Sequence, residues 1–95
     1  MTYLSASDFA AAQAVSRPHT LIREIAAEVS EVTRIRVSEI YGPSRMPRIC
    51  RARELVCYIA QTNGYSYPEI GHALGRHHTT IMHAVRNEQK RRGEA

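Results

Sequence analysis

The chain has 95 residues, of which 43% are hydrophobic and 23% charged, and this composition predicts one small soluble domain with a modest core. That length leaves no room for a nucleotide-binding domain, and neither G-x-x-x-x-G-K-[ST] nor G-x-G-x-x-G occurs, so no nucleotide and no cofactor is expected. Residues 1–44 hold four arginines and five acids, whereas residues 45–95 hold nine basic and four acidic residues, which predicts a polyanionic partner for the second half.

The first third of the chain predicts two helical segments. Residues 5–15 combine cap residues with good helix formers, which predicts a short helix or an N-terminal arm over residues 1–17, ended by Arg17-Pro18. A longer helix is predicted over residues 20–33, with Thr20 as its cap. Its apolar positions at helical spacing are Leu21, Ile22, Ile25, Ala26, Val29 and Val32. The domain proper is therefore expected to span residues 18–95.

The middle of the chain predicts a single helical turn, a basic loop and a long helix. The turn covers residues 38–41 and ends at Gly42-Pro43, and the basic loop covers residues 45–48. The long helix is predicted over residues 48–62, with Gly64 just past its end. Its apolar side is formed by Ile49, Ala52, Leu55, Val56, Ile59 and Ala60. Cys50 and Cys57 would lie roughly 10 Å apart along this helix, which is too far for a disulfide.

The last third predicts two helices joined by a short turn. Ser66-Tyr67-Pro68-Glu69 is a capping box with proline in the first turn, and it predicts a helix over residues 67–74 that ends at Gly75. A second helix is predicted from residue 78 to about residue 91, with apolar positions at Ile81, Met82, Ala84 and Val85. No strand pattern occurs anywhere, so the fold class is predicted to be all-α, with about four to six helices.

The segment 67–86 has the features of a helix-turn-helix. Gly71 is small where the two helices would cross, Gly75 can adopt the positive φ of the turn, and Ile81 would point into the core. A polar cluster stands in the first turn of the second helix, where side chains that read DNA usually lie. The cluster consists of His77, His78, Thr79 and Thr80.

The stretch SYPEIGHALGRHHTTIMHAVR (66–86) is similar to the signature of the C-terminal DNA-binding domain of the bacterial DnaA replication initiators. That signature reads approximately S-x-P-E-I-G-x-x-F-G-G-R-D-H-T-T-V-x-H-A. The likeness continues upstream through Val37-Ser38-Glu39-Ile40, the basic loop and the segment 51–53, and it covers about residues 20–92. It implies a DnaA-like helix-turn-helix protein from a bacterium or a phage, acting as a stand-alone reader without the initiator's ATPase domain.

The resemblance also implies roles for single residues. Arg45 would enter the minor groove, Arg51 and Arg53 would hold phosphates, and the threonine methyls would be available to thymine methyls in the major groove. The implied partner is double-stranded DNA, with replication or transcription proteins as further partners. The implied location is the cytoplasm, at the nucleoid, and the implied role is control of replication initiation or of transcription. The complete set of expected DNA contacts is Arg45, Arg48, Arg51, Arg53, Ser66, Arg76, His77, His78, Thr79, Thr80 and His83.

Two departures from the signature affect recognition. Only Gly75 precedes Arg76, where the family has two glycines, so the turn is one residue shorter. His77 stands where the family has aspartate, which can accept a hydrogen bond from a cytosine amino group. A neutral histidine can donate or accept, and a protonated one adds positive charge.

Other interpretations of the same residues are weaker. A zinc site is disfavoured because His72, His77, His78 and His83 show no i, i+4 pair and no acid or cysteine at ligand spacing. Catalysis by Thr79 or Thr80 beside His78 would need an orienting acid and a pocket, so no enzyme is expected. His83 is equally consistent with packing. Lys90-Arg91-Arg92 is explained better by compensation of the helix dipole than by a DNA-binding tail. The alternative function is a protein–protein interaction module that docks on a partner, such as the replication machinery, through residues 1–33.

Overall fold

The fold is described by a computed structural model over residues 21–94, and these residues form five α-helices and no strand. The helices are α1 (Ile22–Thr33), α2 (Val37–Tyr41), α3 (Pro47–Thr62), α4 (Tyr67–Leu74) and α5 (His78–Arg91). The all-α prediction is confirmed. The predicted helix over residues 5–15 and the predicted cap at position 20 lie outside the described residues. No helix between residues 21 and 94 has both the length and the apolar character needed to cross a membrane.

Helix α3 is the centre of the domain, and each of the other four helices packs against it. Its predicted apolar side is buried throughout, and α5 adds Ile81, Ala84 and Val85 to the same core. Helix α1 contributes four of its six predicted apolar residues, while Val32 is half-buried. The prediction for Leu21 is wrong, because this side chain is 46% exposed. Leu21 occupies the N-cap with extended backbone angles, so it does not continue the buried stripe of the helix.

Helix α3 begins at Pro47, one residue earlier than predicted. Proline suits this first position, because the missing N–H would have no partner within the helix. Arg48 therefore lies in the first turn of α3, where the sequence predicts the end of a loop. The connecting loop between α2 and α3 is reduced to residues 42–46.

Two arginines close the carboxyl end of the short helix α2, and we call this pair the arginine clamp (Arg53 and Arg76). Arg53 Nε donates to the carbonyl of Ile40 at 2.7 Å, and its Nη2 donates to the carbonyls of Glu39 at 3.2 Å and Gly42 at 2.9 Å. Arg76 donates to the same Gly42 carbonyl and to that of Tyr41. A five-residue helix is too short to be stable alone, and its last carbonyls have no intrahelical partners. The clamp therefore completes α2 and fixes the start of the loop 42–46.

The turn between α4 and α5 depends on two glycines, as predicted. Gly75 has φ 68°, in the left-handed region that favours glycine. Gly71 is buried where the turn folds back on α4, and the Arg76 N–H donates to the Gly71 carbonyl at 2.8 Å. A Cβ on Gly71 would lie 2.5 Å from the backbone oxygen of Arg76. The turn can therefore approach α4 this closely only because position 71 has no side chain.

We expect Gly71→Ala to lower the free energy of unfolding by about 2 kcal/mol or more, because backbone atoms must move to admit the methyl group. Glycine-to-alanine changes inside helices ordinarily stabilise, so the sign of the effect is diagnostic. Urea denaturation followed by circular dichroism measures it. His72→Ala, at the next and exposed position, is the control and should change stability by less than about 0.5 kcal/mol. A Gly71→Ala protein as stable as this control would contradict the close approach.

We expect Arg53→Met to cost about 2–4 kcal/mol of stability, because three backbone carbonyls lose a charged donor while the apolar stem is kept. Arg53→Lys should recover only part of the loss, since an ammonium group cannot reproduce the planar fork of donors. The same denaturation experiment measures both variants. Arg23→Ala removes an exposed charge from α1 and serves as the matched control. Equal stabilities of Arg53→Met and Arg23→Ala would show that the Arg53 half of the clamp contributes nothing to stability.

Candidate nucleic-acid interface

Helix α4 starts at the predicted capping box. The Glu69 N–H donates to Ser66 Oγ at 3.2 Å, and the Ser66 N–H donates to the Glu69 carboxylate at 2.8 Å. The backbone hydrogen bond from Ser66 holds the pKa of Glu69 below its ordinary value. Ser66 is exposed, so its hydroxyl both caps α4 and lies on the surface. The cap fixes the first helix of the helix-turn-helix at its N-terminal end.

Helix α5 begins with a histidine as its N-cap. The Thr79 N–H donates to His77 Nδ1 at 3.2 Å, so the imidazole takes the place that serine, threonine or aspartate usually fills. The rings of His77 and His78 lie against each other, with centroids 4.3 Å apart and planes inclined by 34°. Both histidines are exposed. Their contact and the cap together restrict the orientation of both rings at the tip of the helix.

The two faces of α5 have opposite character. Ile81 and Val85 are buried, and Ala84 is 9% exposed, so this face packs into the core. Four other residues of the first two turns are exposed, and together with the cap they form the polar tip. The polar tip is defined as His77, His78, Thr79, Thr80 and His83. The structure thus brings together all five residues of α5 and its cap that the sequence predicts as DNA contacts.

The carboxyl end of α5 is tied to α3 by polar contacts. Glu54 of α3 accepts hydrogen bonds from Asn87 Nδ2 at 2.9 Å and from Arg91. Arg92 pairs with Glu88 at 3.0 Å and stacks over the ring of Tyr58 at 4.0 Å. Arg91 and Arg92 therefore have anionic or aromatic partners within the protein, in addition to the predicted favourable interaction with the helix dipole. These contacts hold the carboxyl end of α5 against α3.

The predicted basic contacts fall into two groups. Arg45 is exposed in the loop 42–46, and Arg48 and Arg51 are half-buried in the first half of α3. Arg53 is only 9% exposed, and Arg76 is half-buried, with both guanidinium groups directed to the carbonyls at the end of α2. Burial and the neighbouring Arg53 charge hold the pKa of Arg76 below its ordinary value. DNA contacts by these two arginines stay a prediction, because in this conformation their donors bind backbone oxygens.

One basic residue of the surface was missed by the sequence interpretation. Arg86 is exposed on α5, seven residues after Thr79 and three after His83. Positions 79, 83 and 86 follow the helical spacing of i, i+4 and i+7, so they share one face. The sequence shows this spacing, but the family signature specifies no residue at position 86.

A groove of about 220 Å³ lies between α3 and α5, beside the polar tip. Its lining includes Cys50, Cys57, Thr80 and His83. Burial raises the pKa of the Cys57 thiol to about 12, so this thiol stays protonated at neutral pH. Across residues 21–94 the histidines, cysteines and acids do not come together in a group of three or more that could hold a metal ion.

Comparison with known proteins identifies the family. Residues 22–87 match the family model described as the bacterial dnaA protein helix-turn-helix. The chain is 48% identical over 67 residues to the chromosomal replication initiator protein DnaA of Cereibacter sphaeroides, which covers 68% of the chain and 15% of that relative. The DnaA proteins of Ruegeria pomeroyi and Burkholderia vietnamiensis are 42% and 36% identical, over 68% and 77% of the chain and 14% of each relative.

The chain thus spans about one seventh of the length of these curated relatives. No solved structure matches it significantly. The matched region contains all five helices up to Asn87, including the clamp, the loop 42–46 and the polar tip. The family match agrees with the helix-turn-helix formed by α4 and α5 and with the signature at residues 66–86. The chain belongs to the DNA-binding helix-turn-helix family of bacterial DnaA proteins.

Proposed function

We propose that the protein binds double-stranded DNA sequence-specifically, with the polar tip of α5 in the major groove. The observation that carries this proposal is the division of α5 into a buried apolar face and an exposed polar tip. The tip combines hydroxyl, methyl and imidazole groups, which can meet the mixed donors, acceptors and methyls of base edges. The anchored carboxyl end of α5 keeps the helix rigid, so that its first two turns can enter a groove without reordering.

Arg45 reaches the minor groove beside the site read by α5. It is exposed in a loop of five residues that starts at the clamp and ends at Pro47, so both ends of the loop are held. A short loop between two fixed ends orders an arginine at low entropic cost. Arg48, Arg51 and Arg86 bind phosphates, which supplies most of the affinity and makes it depend on salt.

The arginine clamp positions this interface through hydrogen bonds within the protein. Gly42, the first residue of the loop that carries Arg45, accepts hydrogen bonds from both clamp arginines. Arg76 stands immediately before the His77 cap of α5, so one side chain links the minor-groove loop to the start of the recognition helix. The clamp therefore sets the separation between the groups that would enter the two grooves.

The biological role we propose is control of replication initiation, or regulation of transcription, at sites that DnaA initiators recognise. The similarity to named chromosomal replication initiator proteins supports this role. Docking on a protein partner through residues 1–33 is the alternative outcome, and it predicts a protein that does not bind DNA at low salt.

We expect Arg45→Ala to weaken binding to a preferred duplex by about tenfold, because a groove contact and a positive charge are both lost. Fluorescence anisotropy on duplexes with an initiator-type box and with a scrambled box measures the effect at two salt concentrations. Arg34→Gly is the matched control. It removes one charge at the opposite end of α2 from the loop, and glycine suits the left-handed φ of 62° at this position.

Wild-type protein should bind both duplexes more weakly at the higher salt and should prefer the box over the scramble. If Arg34→Gly weakens binding as much as Arg45→Ala, the loop makes no specific contact and only net charge matters. If wild-type protein binds neither duplex at low salt, the proposed function is wrong.

We expect Arg86→Ala to weaken binding to all duplexes alike. The slope of log Kd against log salt should fall by about one. A phosphate contact carries no sequence information, so the preference for the box over the scramble should not change. The same anisotropy titration, extended over five salt concentrations, measures the slope. An unchanged slope would place Arg86 outside the interface.

A further inference from the structure

We infer that His77 presents a hydrogen-bond donor to the major groove and thereby selects guanine, and rejects cytosine, at one base pair. This inference rests on the proposed function, and it concerns the base preference of the same interface. The sequence left the role of His77 open, because a neutral imidazole can donate or accept. The structure removes one of these two options.

The cap of α5 decides the tautomer of His77. A backbone N–H can only donate, so the bond from Thr79 N to Nδ1 requires a lone pair on Nδ1. In the neutral ring the hydrogen is then on Nε2. Among residues 21–94, no hydrogen bond is formed by Nε2, and His77 is exposed. The nitrogen left for a ligand is therefore a donor.

The orientation of this donor is restricted from two sides. The bond to Thr79 holds one edge of the His77 ring against the first turn of α5. The His78 ring, 4.3 Å away, covers one of its faces. A ring restrained in this way cannot turn Nδ1 outward without losing the cap of the recognition helix.

A single outward donor discriminates between bases in the major groove. Guanine shows two adjacent acceptors there, N7 and O6, whereas cytosine shows only its amino donor. Adenine N7 and thymine O4 also accept, but each offers one acceptor. The donor therefore rejects cytosine, and it favours guanine because the adjacent N7 and O6 can share one N–H. An aspartate at this position, as in the family signature, would instead accept from cytosine, so this chain and its relatives should differ at that base pair.

Two substitutions separate this preference from the capping role. Aspartate and asparagine are both strong N-caps, so His77→Asp and His77→Asn should both keep α5 intact. With Oδ1 in the cap, asparagine still offers an outward N–H donor, whereas aspartate offers only acceptors. Circular dichroism and thermal unfolding verify that the variants are folded.

The experiment is selection of binding sites from duplexes with a randomised central segment, using the full chain at pH 8, where imidazoles are ordinarily neutral. Wild-type and His77→Asn proteins should select sites with guanine at one position and with cytosine depleted there. His77→Asp should select cytosine at that same position and leave the others unchanged. Ratios of Kd on paired duplexes that differ only at this position should shift by about tenfold or more between wild type and His77→Asp. Ratios cancel the general loss of affinity that a new negative charge causes.

Three results would overturn the inference while leaving DNA binding in place. They are an unchanged selected site in His77→Asp, a wild-type site with no base preference at any position that responds to residue 77, and a change to cytosine in His77→Asn. Absence of DNA binding by the folded wild-type protein would overturn the proposed function instead, and the inference with it.

Discussion

The carbonyl oxygen of Gly42 accepts hydrogen bonds from two arginines of distant segments, and the geometry of the interface depends on this junction. Arg53 comes from the central helix α3, and Arg76 comes from the turn of the helix-turn-helix. Both charged groups are at least partly withdrawn from water, which is costly unless their donors find good acceptors. The carbonyls at the end of α2 have no acceptor role within that helix and accept from the two guanidinium groups. The arginines thereby gain acceptors, and the carbonyls gain donors.

This arrangement explains how so small a domain holds a rigid surface. Helix α2 has five residues and could not persist alone, yet the loop that carries Arg45 begins at its end. Helix α5 is fixed along its length by the buried face, at its carboxyl end by Glu54 and Tyr58, and at its start by the His77 cap. The groups that we assign to the two grooves are thus parts of one framework. Order present before binding reduces the entropic cost of forming the complex.

The cap of α5 combines two tasks in one side chain. An aspartate would cap the helix equally well and face bases with an acceptor, whereas His77 caps with one nitrogen and keeps a donor on the other. In the turn before it, Gly75 and Gly71 allow the chain to fold back tightly on α4.

The sequence by itself determined the helices, the glycine turn, the capping box and most of the core. These features depend on local backbone preference and on apolar spacing, and residues close together in the sequence determine both. Two helix starts differ from the apolar pattern by one residue. Leu21 is an exposed N-cap rather than a buried helical residue, and α3 starts at Pro47 rather than at residue 48. The ends of helices follow cap geometry rather than apolar spacing.

Only the tertiary structure decided what the charged and polar side chains do. Arg53 and Arg76 have the same sequence appearance as Arg45 and Arg48, yet their donors are directed to carbonyls 11 and 34 residues away in the chain. The tautomer of His77 likewise follows from a hydrogen bond that composition cannot reveal. Long, flexible or ambivalent side chains take their partners from whatever the fold brings near, and that proximity is set by packing and not by sequence position.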